Sequence, residues 1–297
     1  SVTVIKLITV AIETWNQVKK IILLLFLTFP FSIFSQPFDY EKSIDKLNYW
    51  EEITDKTAKL EFVNKLKEIR DEDNECYLIF FRLEDFHVVD IDRDGLKDIV
   101  YSGMCGIDGS ATVIFRNNGE SFDELLFVIG RIHQVPDFNS NLPFSFTLRN
   151  YACCGGFTSV FEKYILVNEN GNYSYKLQTR EDYVSETVFP EAYFEKPIAF
   201  KTVREKYNLR FSPAIDDTSE VARPYEDYGN TVRSYPANSI GYAIAAKKDE
   251  TGRIWWFVRM DNKTAKGLEY TSKVGDNSEE PTFSLGWMSS RFVERIN

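Results

Sequence analysis

The 297-residue chain holds only two histidines, His87 and His133, four cysteines and three methionines. The zinc-protease pattern H-E-x-x-H, the G-x-S-x-G nucleophile elbow and the phosphate-binding P-loop are all absent. A peptidase that uses a cysteine followed by a downstream histidine is also disfavoured, because both histidines precede Cys153 and Cys154. Positive charge is scarce: 35 Lys and Arg stand against 45 Asp and Glu, a net charge of −10. Sequence-independent binding of nucleic acid needs a basic face, so no nucleic-acid partner is expected. Apolar side chains are not scarce. They make up 43% of the chain and include 24 Phe, 16 Tyr and 5 Trp. That is enough for real cores and too many for a disordered chain.

No apolar run is long enough to span a bilayer comfortably. The longest, Ile21–Phe34, covers 14 residues, is broken by Pro30 and follows Lys19 and Lys20. A basic start and a short apolar stretch form the pattern of a secretory signal peptide. We expect initiation at Val18, residues 1–17 upstream of it, and cleavage near Ser35 or Gln36. Residues 1–36 carry Lys6, Lys19, Lys20 and Glu13, a net +2, so their removal takes the charge from −10 to −12. The expected location is exported (periplasm, cell surface or extracellular), with no transmembrane anchor after cleavage. Disulfides form in such compartments. Cys76, Cys105, Cys153 and Cys154 allow three pairings. Ring strain disfavours a bond between adjacent Cys153 and Cys154. That leaves Cys105 with one of the pair and Cys76 with the other, or free thiols. The stretch YACCGGF, residues 151–157, reads as a disulfide-bearing turn set by Gly155 and Gly156.

Residues 39–72 are polar with a helical period: Tyr40, Ile44 and Leu47, then Leu60, Val63 and Leu66. From Cys76 onward β-branched and aromatic runs alternate with turn signals such as RNNGE and NENGN. Periodicity fails over 212–227, which carries Pro213 and Pro224. The expected organisation is a β-rich domain over 37–215, a linker at 216–224 and a smaller domain over 225–297.

The densest chemical signal is DIDRDGLKD, residues 90–98. Asp90, Asp92 and Asp94 occupy alternate positions, Gly95 permits a sharp turn, and Asp98 follows. Calcium takes six to eight oxygens, several of them carboxylates, and the Leu96 carbonyl could add a neutral ligand. An EF-hand needs a glutamate at the twelfth position; Tyr101 stands there, and the flanks read as strands. An acidic turn without metal would need fewer aspartates, since four close carboxylates repel one another. The strand–loop–strand pattern over roughly residues 84–125 resembles one calcium unit of the FG-GAP and VCBS repeats, the blades of integrin-like propellers. That resemblance implies calcium as the cofactor and Asp90, Asp92, Asp94 and Asp98 as ligands.

The C-terminal stretch IWWFVR, residues 254–259, alternates as a half-buried strand would. Val232–Arg233–Ser234 with Pro236, Trp255 with Val258, and Gly286–Trp287–Met288 follow in an order similar to bacterial SH3-like (SH3b) domains. The segment 261–284 is longer than the usual hairpin there. The resemblance implies a small barrel that binds a cell-wall or envelope peptide or glycan, with Tyr235, Trp255 and Trp287 as groove aromatics. The expected fold class is therefore mainly β with an N-terminal helical segment (α+β): an integrin-propeller-like domain followed by an SH3-like barrel. The expected function is non-catalytic binding outside the cytoplasm, with a cell-wall hydrolase lacking recognisable motifs as the alternative.

Overall fold

The computed structural model describes residues 40, 52–69, 76–106, 109–135, 145–151, 158–220, 228–270 and 281–296. The expected signal segment 1–36, the helical positions Ile44 and Leu47, and the cysteines Cys153 and Cys154 lie outside them. Asp55 opens helix α1 (Lys56–Ile69), its carboxylate accepting from the Thr57 and Ala58 N–H groups at 2.8 and 2.9 Å. Val63 and Leu66, one turn apart, are fully buried. A single-turn helix, α2 (Cys76–Ile79), adds Tyr77 and Leu78 to the same core.

Four antiparallel strands follow in chain order: β1 (Phe86–Val89), β2 (Asp98–Met104), β3 (Ser110–Asn117) and β4 (Phe122–Ile129). The helices cover one face of this meander, packing on Phe86, Ile99, Tyr101, Val113 and Phe115. A second meander continues the chain: β5 (Arg131–Gln134), β6 (Ser145–Asn150), β7 (Thr158–Glu169) and β8 (Asn172–Val184). Its Ile132, Phe146, Leu148 and Leu166 pack on Val89, Val100 and Ile114 of the first. Strand β2 is thus buried on both faces, with Ile99 and Tyr101 in one core and Val100 in the other. That is why its centre, Ile99–Val100–Tyr101, is apolar at successive positions rather than at alternate ones. The β7–β8 hairpin turns at Asn170 and Gly171, both at positive φ (57° and 90°). This is the left-handed geometry that an Asn-Gly pair favours in a two-residue hairpin.

The remaining strands are β9 (Ile198–Thr202), β10 (Tyr207–Arg210), β11 (Thr231–Tyr235), β12 (Ile240–Lys248), β13 (Ile254–Asp261), β14 (Glu269–Tyr270), β15 (Phe283–Ser289) and β16 (Val293–Arg295). The second sheet runs β16-β9-β12-β13-β15-β8-β7-β6-β5, and β10 joins β11 and β15. Among the described residues this order has two free ends, so the strands do not close into a barrel. Strands β9 and β10 precede the expected linker yet pair with β12, β11 and β15 beyond it. One sheet therefore crosses the expected domain boundary. The start of the expected linker is pinned as well. Buried Arg210 donates to the Asp216 carbonyl at 3.1 Å and the Asp217 carboxylate at 2.8 Å.

The two halves meet where β8 runs parallel to β15, Glu181 opposite Phe283 and Asp182 opposite Ser284. Here Arg233 of β11 pairs with Asp182 and donates to Ser284 Oγ. Its side chain is 1% exposed and that of Asp182 3%. Burial pushes the Asp182 carboxyl up, against the pull of Arg233. A second pair, Arg259–Glu181, lies beside it, and the Tyr40 hydroxyl donates to Glu181 at 2.8 Å.

One disulfide, Cys76–Cys105, ties α2 to the end of β2 across 29 residues. This corrects the expected pairing of both cysteines with the Cys153–Cys154 pair: α2 folds back onto the first meander and carries Cys76 to Cys105. Closing a loop of that length restricts the unfolded chain by about 3–4 kcal/mol on a chain-entropy basis.

Removing one member of the buried pair strands the other charge. Arg233→Met is expected to cost about 3–5 kcal/mol in urea unfolding, and adding Asp182→Leu to recover most of it. A double variant no more stable than Arg233→Met would show that the pair is not the element that matters here.

Candidate metal centre

The aspartate loop joins β1 to β2, so both of its ends are held by the Val89–Asp98 pairing of the ladder. Inside it the carboxylates first organise the backbone. Asp92 Oδ1 accepts from the Asp94 N–H (3.3 Å), Asp94 Oδ1 from Leu96 (2.8 Å) and Asp90 Oδ2 from Gly95 (3.1 Å). Gly95 sits at φ +90° and Arg93 at φ 64°, left-handed positions that let the chain curl around its own acids. Asp98 is fully buried and closes the loop. Its Oδ2 accepts from the Ile91 N–H (2.8 Å) and its Oδ1 from the Asn117 N–H (2.7 Å).

Asp90, Asp92 and Asp98 each bring a carboxylate oxygen within 4.8 Å of the others. Three hard oxygen donors at that spacing fit a calcium- or magnesium-type cation. Asp90 Oδ1 is buried without a hydrogen-bond partner, which leaves a donor atom open for such an ion. Burial pushes the Asp98 carboxyl up to about 7, with the charges of Asp92 and Asp94 adding to the rise and the two N–H donors opposing it. Burial of its hydroxyl end holds Tyr175, on the β7–β8 hairpin, well above its ordinary range, and the charges of Asp98 and Asp92 add to the rise.

One of the four expected carboxylate ligands stands apart from that group. Asp94 turns its Oδ2 to the Arg116 guanidinium at 2.8 Å. Arg116 also donates through Nε to Asp92 Oδ2 at 2.5 Å, and its guanidinium lies 4.3 Å from the centre of the Tyr173 ring. The repulsion among the aspartates is thus relieved in part by a side chain from the neighbouring strand. Arg116 was not among the residues expected at the site. The one sequence signal for it was the hairpin between DIVYSG and ATVIFRN, whose register sets residues 116–117 beside Asp98.

The three expected groove aromatics are core residues instead. Tyr235 and Trp287 are fully buried and Trp255 is 2% exposed. Their polar atoms are satisfied within the chain: the Tyr235 hydroxyl donates to Asn262, Trp255 Nε1 to Asp249 at 2.9 Å, and Trp287 Nε1 to the Val188 carbonyl at 2.6 Å. Strand β13 is buried on both faces rather than half-buried, with Trp255 and Phe257 in one core and Trp256 and Val258 in the other. His87 Nδ1 lies 3.3 Å from Glu52, and His133 is buried beside Phe161.

Comparison with protein-family models, with curated proteins and with solved structures finds no match to this chain.

Asp98 is the loop's keystone whether or not metal is present, because it satisfies two backbone donors. Asp98→Ala is expected to destabilise the metal-free protein by about 2–4 kcal/mol through the stranded Ile91 and Asn117 N–H groups. Chemical denaturation in chelator measures this, and a loss under ~1 kcal/mol would count against that role.

Proposed function

We propose that the protein is an exported, non-catalytic binding protein whose aspartate loop holds a calcium ion in a structural role. The observation that carries the reading is the convergence of Asp90, Asp92 and Asp98 oxygens within 4.8 Å on a loop between two paired strands. The loop joins the first two strands of a four-stranded meander, in keeping with the blade unit that the sequence resembles. Asp94 and the Leu96 carbonyl would complete the ligand set that the resemblance implies. The bound ion would supply charge neutralisation, while the chain's own residues hold the loop's shape.

Export is supported by the Cys76–Cys105 disulfide, a bond that persists in oxidising compartments. Among the described residues no helix is long and apolar enough to cross a membrane. For the partner we propose a cell-wall or envelope peptide or glycan, bound on the C-terminal strands through a surface that excludes buried Tyr235, Trp255 and Trp287.

Extracellular modules hold calcium at roughly 10⁻⁴–10⁻³ M. Calcium at a hundredfold excess over its Kd is expected to stabilise the fold by about 2.7 kcal/mol, seen as a higher melting temperature than in chelator. Identical melting in the two conditions would remove the calcium reading. The partner proposal is checked by sedimenting the protein with purified peptidoglycan, where retention is the expected outcome and full recovery in the supernatant the contrary one.

A further inference from the structure

Arg116, on β3, is a cation that the structure places against the aspartate loop from outside it. It reaches Asp92 through Nε at 2.5 Å and Asp94 at 2.8 Å. Its guanidinium is held in place from the other side, 4.3 Å from the centre of the Tyr173 ring at the tip of the β7–β8 hairpin. The side chain is only 18% exposed, and the Asp92 side chain that it grips is 1% exposed. Asp92 therefore has two roles: one of its oxygens belongs to the three-carboxylate group, while its Oδ2 binds Arg116. Asp94 is drawn towards the guanidinium and stands outside that group.

We infer that Arg116 is a tethered cation that competes with a divalent ion for Asp92 and Asp94 and so sets the loop's affinity. This rests on the calcium reading above. A fixed positive charge a few ångströms from the ion repels it, and the guanidinium's hydrogen bonds must weaken before Asp94 can turn to the metal. In exchange the loop keeps its shape in the absence of metal, because two of its charges are already matched. Arginine suits this role: its planar fork reaches two carboxylates at once while its face stacks on an aromatic ring.

The test is calorimetric titration of the full chain with calcium chloride, comparing the parent with Arg116→Gln and Tyr173→Leu. Arg116→Gln is expected to bind calcium about tenfold more tightly, the order of effect of removing one unit charge some 5 Å from a divalent ion in a water-like medium. Tyr173→Leu, which keeps the charge but removes its support, is expected to shift affinity in the same direction by less. In chelator Arg116→Gln is expected to melt below the parent, and in calcium to regain that loss. If it does not fold in chelator, it is refolded in calcium and its affinity read by competition against a chelator of known strength. Unchanged or weaker binding by Arg116→Gln, with binding by the parent intact, overturns the inference and leaves the calcium loop standing. No binding by either protein removes the calcium reading and this inference with it.

Discussion

The buried Asp182–Arg233 pair is the constraint on which the architecture turns. It sits where a parallel contact of two residue pairs links β8 to β15. So short a ladder supplies little cohesion by itself. The aromatic core around Phe161, Tyr183, Phe257 and Trp287 supplies cohesion without direction, since apolar burial tolerates small slips. A charge with almost no exposure does not tolerate them. If β15 slid along β8, Ser284 would leave its place opposite Asp182, and buried Arg233 would lose the hydroxyl to which it donates in a medium that cannot replace it. The pair therefore acts on register more than on net stability, as buried polar groups do in other well-defined cores.

The same logic operates at the aspartate loop in a wetter setting. Like charges are brought together by backbone geometry, and their repulsion must be met from somewhere. Four of the loop's carboxylate oxygens accept N–H groups of the loop itself and one accepts from Asn117. Arg116 meets two more. What is left open, Asp90 Oδ1 and the shared face of Asp90, Asp92 and Asp98, has the size and chemistry of a cation site. The loop's shape is in this sense partly set by its own hydrogen bonds and by Arg116.

Legibility in the sequence followed the range of the forces involved. The helix at Lys56–Ile69, the strands flanking DIDRDGLKD and the Asn-Gly hairpin were readable because their determinants lie within a few residues of one another. Partnerships were not. Strand β9 looks like any short apolar strand, and nothing local says that its mate is β12, some forty residues on. The expected boundary at 216–224 rested on lost periodicity, which marks an irregular segment but not a break in a sheet. Trp255 and Trp287 were misplaced for a related reason. An aromatic residue in a strand reads the same whether it lines a groove or a core, and the difference lies in which layer covers it. Cys76 and Arg116 were beyond local reading as well, since a disulfide and an ion pair depend on where separate elements meet.

The β7–β8 hairpin has a consequence in its length. Tyr173 near its tip touches Arg116 at the acidic loop, and Asp182 near its base joins the C-terminal strands. Those two residues are nine apart on one extended strand, about 30 Å of nearly inextensible chain. The hairpin is thus a ruler: a deletion of two residues from each strand would shorten it by about 7 Å without changing any side chain at the loop or the junction. Between these two places the spacing is written as a number of residues rather than as their identities, so substitutions along its exposed edge are free to accumulate while insertions and deletions are not.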